Sequence, residues 1–169
     1  MEIRLARTAG FCFGVDRAVQ LTRSLLDQGE KVATLGPLIH NPQVVADLAR
    51  RGALVAESPQ QVPPGYKVVI RSHGVPRSVY DQLQELNLPW QDATCPFVAK
   101  IHAIARRAEQ EGACLAVAGD SAHPEVQGIV GHTRGESFVF ADLAQLRAWK
   151  GPENPEKRMF VVAQTTFQA

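Results

Sequence analysis

KVVIRSHGVPRSVYDQLQEL, residues 67–86, holds the unit from which the fold is read. Lys67–Arg71 is a short run rich in β-branched residues, the pattern of a buried strand. A loop containing His73 and Gly74 follows, and Pro76 opens a helix over Pro76–Leu86, since proline suits the first helical turn. The same alternation extends in both directions. Upstream, strands are predicted at Glu2–Ala6, Val32–Leu35 and Ala53–Ala56. Helices are predicted at Asp16–Gln28 and Pro42–Arg51, the second with Asn41 as N-cap. Ser58–Gly65, with three prolines, is a loop. Downstream come strands at Trp90–Ala93, Cys114–Ala118, Phe138–Phe140 and Met159–Ala163. Between them lie helices at Pro96–Glu111, Pro124–Val130 and Leu143–Trp149, and a turn at Pro152–Pro155. In the Pro96 helix Phe97, Ile101, Ile104 and Ala108 recur at helical spacing, with Arg106, Arg107 and Glu109 facing outward. Short strands alternating with helices predict an α/β fold with largely parallel sheets. A boundary between two small units is expected near Thr94–Pro96.

Composition bounds the function. The chain has 169 residues, 45% of them apolar, enough for a real core. Lys plus Arg is 18 and Asp plus Glu 17, a net charge of +1 that gives no electrostatic case for nucleic acid or an anionic membrane. No apolar run is long enough to span a bilayer, and Met1–Gly10 carries no targeting signal, so a soluble cytoplasmic protein is expected. Cys12, Cys95 and Cys114 are far apart and form no C-x-x-C pair, which fits a reducing compartment better than a disulfide scaffold.

In open α/β sheets, functional residues gather in the loops that follow strands. The first predicted strand leads into AGFCFG with Cys12, and Val32–Leu35 into GPLIHNP with His40. Lys67–Arg71 leads into SHGVP with His73, and Trp90–Ala93 into TCP with Cys95. Cys114–Ala118 leads into GDSAHPE with His123 and Glu125, and Met159–Ala163 into QTT with Thr165 and Thr166. Three histidines and two cysteines therefore share one topological slot. Proline follows His40, His73, Cys95 and His123 within three residues, which places them at helix starts, where free N–H groups and the positive dipole end suit phosphate. Thiolates in the same slot suit soft metals and iron–sulfur clusters.

Plainer readings stand beside these. Cys12, between Phe11 and Phe13, also fits an inert core thiol. Cys114, inside an apolar strand, reads as core. His102 and His132 read as surface residues. Glu125 fits a first-turn carboxylate favoured by the helix dipole.

The stretches AGFCFGVDRAV (9–19), LGPLIHNPQVV (35–45), IRSHGVP (70–76), DATCPFV (92–98), HPEV (123–126) and AQTTF (163–167) together resemble the 4-hydroxy-3-methylbut-2-enyl diphosphate reductase family of the non-mevalonate isoprenoid pathway. The resemblance implies α/β units in a pseudo-threefold, three-unit arrangement around a 4Fe-4S cluster. On that reading residues 1–13 belong to a third unit otherwise missing, 14–95 form the first unit and 96–169 the second. Cys12 and Cys95 match two of three cluster ligands. His40, His73 and His123 match substrate-binding residues, chiefly at the diphosphate. Glu125 matches a proton-relaying acid, and Thr165 a hydroxyl that orients the substrate and its proton network. The implied reaction is a two-electron reductive dehydroxylation to isopentenyl and dimethylallyl diphosphates, with ferredoxin or flavodoxin as electron donor.

The family's pattern continues past the QTT stretch to a third cluster cysteine and a Ser-x-Asn motif, neither of which occurs here. The chain alone is therefore expected to be inactive, and its unpaired N-terminal strand is expected to pair between copies. Two competing readings are a Zn-dependent hydrolase using Cys12, Cys95 and a histidine, and a non-catalytic remnant that binds a diphosphate or a partner.

Overall fold

The computed structural model describes residues 3, 4 and 9–167. Six helices and seven strands alternate among them: α1 (Phe13–Asp27), β1 (Val32–Leu35), α2 (Pro42–Arg50), β2 (Leu54–Ala56), β3 (Lys67–Ile70), α3 (Arg77–Glu85), β4 (Trp90–Asp92), α4 (Pro96–Gln110), β5 (Cys114–Ala118), α5 (Pro124–Val130), β6 (Ser137–Phe140), α6 (Leu143–Ala148) and β7 (Met159–Ala163). A single 3-10 turn, Pro59–Gln61, lies in the proline-rich loop. Ile3 and Arg4 are in no strand, and the rest of the strand expected at Glu2–Ala6 lies outside the described residues. The pairing between copies expected of it lies outside them too. α1 begins three residues earlier than expected, with Cys12 at its N-cap position.

Among the described residues every strand pair is parallel. One sheet has the order β2-β1-β3-β4, the other β6-β5-β7. The central strands VATL and KVVI are apolar at nearly every position because parallel strands are covered on both faces. Their side chains sort with a period of two. Val32 and Val69 pack with Ala18, Val19 and Leu25 of α1 and Leu48 of α2. Ala33, Leu35, Val68 and Ile70 pack with Leu83 of α3 on the other face. In the second sheet Leu115 and Val117 pack beneath Ala105 and Ala108 of α4 and Val126 and Ile129 of α5.

The two sheets meet where the loop after β3 lies on α5. Arg77 N donates to Gly131 O at 3.1 Å. Gly74 (φ +71) and Gly128 leave a space that the His102 ring fills; a Cβ on Gly74 would overlap its Cε1. His102 stacks on His132, ring centroids 4.0 Å apart. Arg106 Nη1 lies 3.1 Å from His132 Nδ1, and since a guanidinium only donates, that nitrogen accepts.

This corrects two expectations. His102 and His132 are not surface residues but are 3% and 5% exposed. The buried stripe of α4 is Val98, His102, Ala105 and Ala108, whereas Phe97 is 61% and Ile104 37% exposed. The stripe is rotated because a polar residue occupies its centre, and apolar spacing cannot count a histidine as core.

Burial of His102, reinforced by His132 and Arg106, lowers its pKa from 6.5 to about 3. Burial of His132, reinforced by Arg106 and Arg77, lowers its pKa to about 4. The unfolded chain thus takes up protons from about pH 6.5 downward while the folded chain refuses them, so stability is lost as pH falls from 6.5 toward 4. The thermal midpoint is expected to drop between pH 7 and roughly pH 5, above the carboxylate range. His102→Gln should flatten that slope, and a midpoint constant over this interval contradicts the account.

Candidate functional site

Strand order reverses twice, and both reversals carry expected site residues. In the first sheet the chain winds from β1 out to β2, then crosses back to β3, so the switch lies between β1 and β3. In the second it lies between β5 and β7. Loops beyond a switch point diverge and leave a crevice at the strands' carboxyl ends. His40 follows β1 and His73 follows β3; His123 and Glu125 follow β5, and Thr165 follows β7.

The structure brings the three histidines together. His40 and His73 have ring centroids 4.4 Å apart, and His123 lies 5.6 Å from each. His40 is exposed, while His73 and His123 are half-buried. Burial, reinforced by His40, Arg71 and His123, lowers the His73 pKa to about 4. It is neutral at physiological pH. His123 N-caps α5, its Nδ1 accepting from Glu125 N at 3.1 Å. Nδ1 is therefore unprotonated, and the ring presents Nε2–H as a donor. The cluster offers imidazole N–H groups to an anion.

Glu125 lies just beneath, 1% exposed. Its Oε1 accepts from Thr165 N at 2.6 Å and its Oε2 from the Thr165 hydroxyl at 2.7 Å. Thr165 itself is exposed. The buried carboxyl thus meets the site through the threonine hydroxyl.

Gln164, which sequence reasoning missed, is buried next to this pair. Its Oε1 accepts from Asp120 N at 3.1 Å and its Nε2 donates to Thr166 Oγ1 at 2.9 Å, tying the loop after β5 to the loop after β7. No local signal marks its reach across the site, since Asp120 lies 44 residues away in sequence. His102 was also missed. Its signal was position, four residues after Val98 and three before Ala105 on one helical stripe.

Cys12 and Cys95 N-cap α1 and α4, and neither thiol makes a capping hydrogen bond. Cys12 is exposed, with Phe11 45% and Phe13 66% exposed around it, so it is no core thiol. Cys95 packs on Gly14 in the first turn of α1, where an added Cβ would overlap Sγ. Two free thiols at adjoining helix N-termini are a donor type that suits soft metals and iron–sulfur clusters. Cys114 is buried in β5 and donates to Glu136 Oε2 at 3.2 Å; burial and that carboxylate raise its pKa, so it is a poor ligand. Among the described residues no group of three or more His, Cys, Asp or Glu side chains is placed to hold a metal ion. Nor is any described helix long and apolar enough to cross a membrane.

Residues 3–169 match the model of the LytB protein family. The chain belongs to that family. It is 43% identical over 167 residues to a 4-hydroxy-3-methylbut-2-enyl diphosphate reductase of Syntrophotalea carbinolica, covering 98% of this chain and 58% of that protein. A protein of the same name from Geobacter sp. strain M21 is 41% identical, with 98% and 57% covered. A solved structure of (E)-4-hydroxy-3-methyl-but-2-enyl diphosphate reductase superposes with a TM-score of 0.80 at 39% identity, covering 97% of this chain and 58% of that one. The E-1-hydroxy-2-methyl-but-2-enyl-4-diphosphate reductase of Plasmodium falciparum gives 0.87 at 27% identity, covering 95% and 50%. The chain spans somewhat more than half the length of the curated relatives it matches.

Gly14→Ala is expected to force the first turn of α1 away from Cys95. Overpacking of this kind costs roughly 1–3 kcal/mol. Chemical denaturation measures the loss, and a variant as stable as the parent contradicts the contact.

Proposed function

We propose that this chain carries the diphosphate-binding histidines, the proton relay and two cluster thiolates of a 4-hydroxy-3-methylbut-2-enyl diphosphate reductase. The observation that carries the reading is the buried Glu125 carboxyl doubly held by Thr165 beside three clustered imidazoles. The family match and the relatives' names support it. The proposed reaction breaks the allylic C–O bond and forms one C–H bond. Two electrons and two protons enter, and the hydroxyl leaves as water.

His40, His73 and His123 receive the diphosphate. The neutral His73 and the Nε2–H of His123 donate to phosphate oxygens. Anchoring this end restricts the carbon skeleton and positions the hydroxyl. Thr165 Oγ1 faces the substrate with Glu125 Oε2 behind it. When Glu125 is protonated, its Oε2–H donates to Thr165 Oγ1 and frees the threonine O–H to donate to the departing oxygen; as that proton transfers, the Glu125 proton replaces it on the hydroxyl, which makes hydroxide a leaving group.

The donor set fits a 4Fe-4S cluster as far as it goes. Cys12 and Cys95 are free thiols at helix N-termini, and they would hold two of its irons. When bound, the cluster supplies electrons singly and a Lewis-acidic iron. The third thiolate, the remaining diphosphate contacts and the ferredoxin or flavodoxin donor belong to the same proposal, as does a cytoplasmic setting.

Turnover is tested in a chain extended to the length of its relatives. There Glu125→Gln is expected to lower turnover about 10²–10⁴-fold, the usual worth of general acid catalysis. Substrate affinity should persist, and near-parental turnover rejects the relay. His40→Phe and His73→Phe should each weaken binding of inorganic pyrophosphate to the present chain, read by calorimetry. Unchanged affinity in both removes the histidines from the diphosphate site. Anaerobic addition of iron and sulfide to the extended chain should yield thiolate-to-iron visible absorption, which Cys12→Ser and Cys95→Ser each diminish.

A further inference from the structure

We propose that Gln164 is a positioning residue, whose amide side chain fixes the diphosphate anchor His123 and the relay hydroxyl of Thr165 relative to each other. The inference rests on the diphosphate and relay reading above, and adds to it the group that keeps the two ends in step. His123 comes from the loop after β5 and Thr165 from the loop after β7. The two strands are neighbours, but their paired residues end at Ala118 and Ala163. Beyond that point the loops diverge, so contacts other than the sheet ladder must hold them together.

Gln164 is built into that divergence. It is buried, and its backbone N donates to Ala118 O at 2.8 Å, just past the paired residues. Its Oε1 accepts from Asp120 N at 3.1 Å, and its Nε2 donates to Thr166 Oγ1 at 2.9 Å. The direction of the amide is set by chemistry. A backbone N–H only donates, so the oxygen faces Asp120 and the NH2 group faces Thr166. Gly119 admits the side chain. A Cβ there would come within 3.0 Å of Gln164 Cβ and Oε1, and within 2.8 Å of Val126 Cγ2.

Each arm of the amide ends on the turn that presents one working group. On one side Asp120 O accepts from His123 N at 2.9 Å, which closes the turn carrying His123, and His123 Nδ1 accepts from Glu125 N. On the other side Gln164 O accepts from Phe167 N at 3.0 Å, and the turn so closed carries Thr165 and Thr166. Thr165 reaches back to Glu125 through its N–H and its hydroxyl. Without the amide, Asp120 N and Thr166 Oγ1 each lose a partner. More of the joint then falls on the Thr165–Glu125 contact, which exchanges protons during turnover.

The test compares Gln164→Met, which keeps the length and loses both hydrogen bonds, with Gln164→Glu. The glutamate still accepts from Asp120 N and takes a bond from the Thr166 hydroxyl instead of giving one. NMR of the ligand-free chain, well below its melting temperature, follows the Glu125 amide proton and His123 Nδ1, both far in sequence from the substitution. Gln164→Met should displace both resonances, and Gln164→Glu should return them toward the parent. In the chain extended to the length of its relatives, Gln164→Met should lower turnover about 10²-fold, the cost of a misplacement of roughly 1 Å. Inorganic pyrophosphate should bind the present chain only several-fold more weakly, because His40 and His73 keep their places. A glutamine that only adds stability would lower the melting temperature and leave turnover per folded molecule and both resonances at parental values. Parental turnover in Gln164→Met, unmoved resonances, or resonances as displaced in Gln164→Glu as in Gln164→Met overturn the proposal. Should Gln164→Met fail to fold, Thr166→Val removes one arm at an exposed position, and parental turnover there overturns it instead. A parent that binds no pyrophosphate, or an extended parent without turnover, overturns the reading of the site itself. The ligand-free resonances then decide alone whether Gln164 positions His123 and Glu125.

Discussion

His102 fills the space that Gly74 and Gly128 leave between the two sheets, and the site depends on that contact. His73 comes from the first sheet and His123 from the second, so their 5.6 Å separation is set by how closely the loop after β3 approaches α5. Small residues on both sides make the approach possible. A Cβ on Gly131 would meet Pro76, and a Cβ on Gly74 would meet the His102 ring. The filler is aromatic but polar, stacked on His132 and held neutral by burial. Close packing of this kind leaves little freedom to slide one sheet against the other.

From that seam the chemistry separates into layers. Three clustered imidazoles line the crevice, and the Glu125 carboxyl lies underneath, reached through Thr165. Each layer rests on a backbone device. Asn41 caps α2 by accepting from Val44 N, which fixes the helix that follows His40. His123 uses its own Nδ1 to cap α5, so the orientation of its donor follows from helix formation. Gln164 ties together the two loops that hold Glu125 and Thr165.

Much of this was legible in local sequence. Apolar runs such as CLAVA and MFVVA, and prolines at helix starts, place β5, α5 and β7 at the ends expected of them. Reading the loop after each strand singled out His40, His73, His123, Glu125 and Thr165, and the structure brings these residues together. Two helix faces were read less well. The α4 stripe was shifted because its central member is His102, and the phenylalanines flanking Cys12 suggested core where the chain is exposed. Hydrophobic period reports apolar side chains and is blind to a buried polar pair whose partner lies 30 residues away.

The sequence by itself determined the alternation of strands and helices, the parallel character of the sheets and the chemistry at each strand's end. These follow from short-range causes: β-branched runs, helix caps, and proline and glycine at chain turns. Only the tertiary structure decided which ends meet. The switch points between β1 and β3 and between β5 and β7, the stacking of His102 on His132, the hold of Thr165 on Glu125 across 40 residues, and the placement of Arg71 against Gly36 all depend on strand order and on the packing of one sheet against the other. Those are set by contacts between residues far apart in the chain, which no local pattern records.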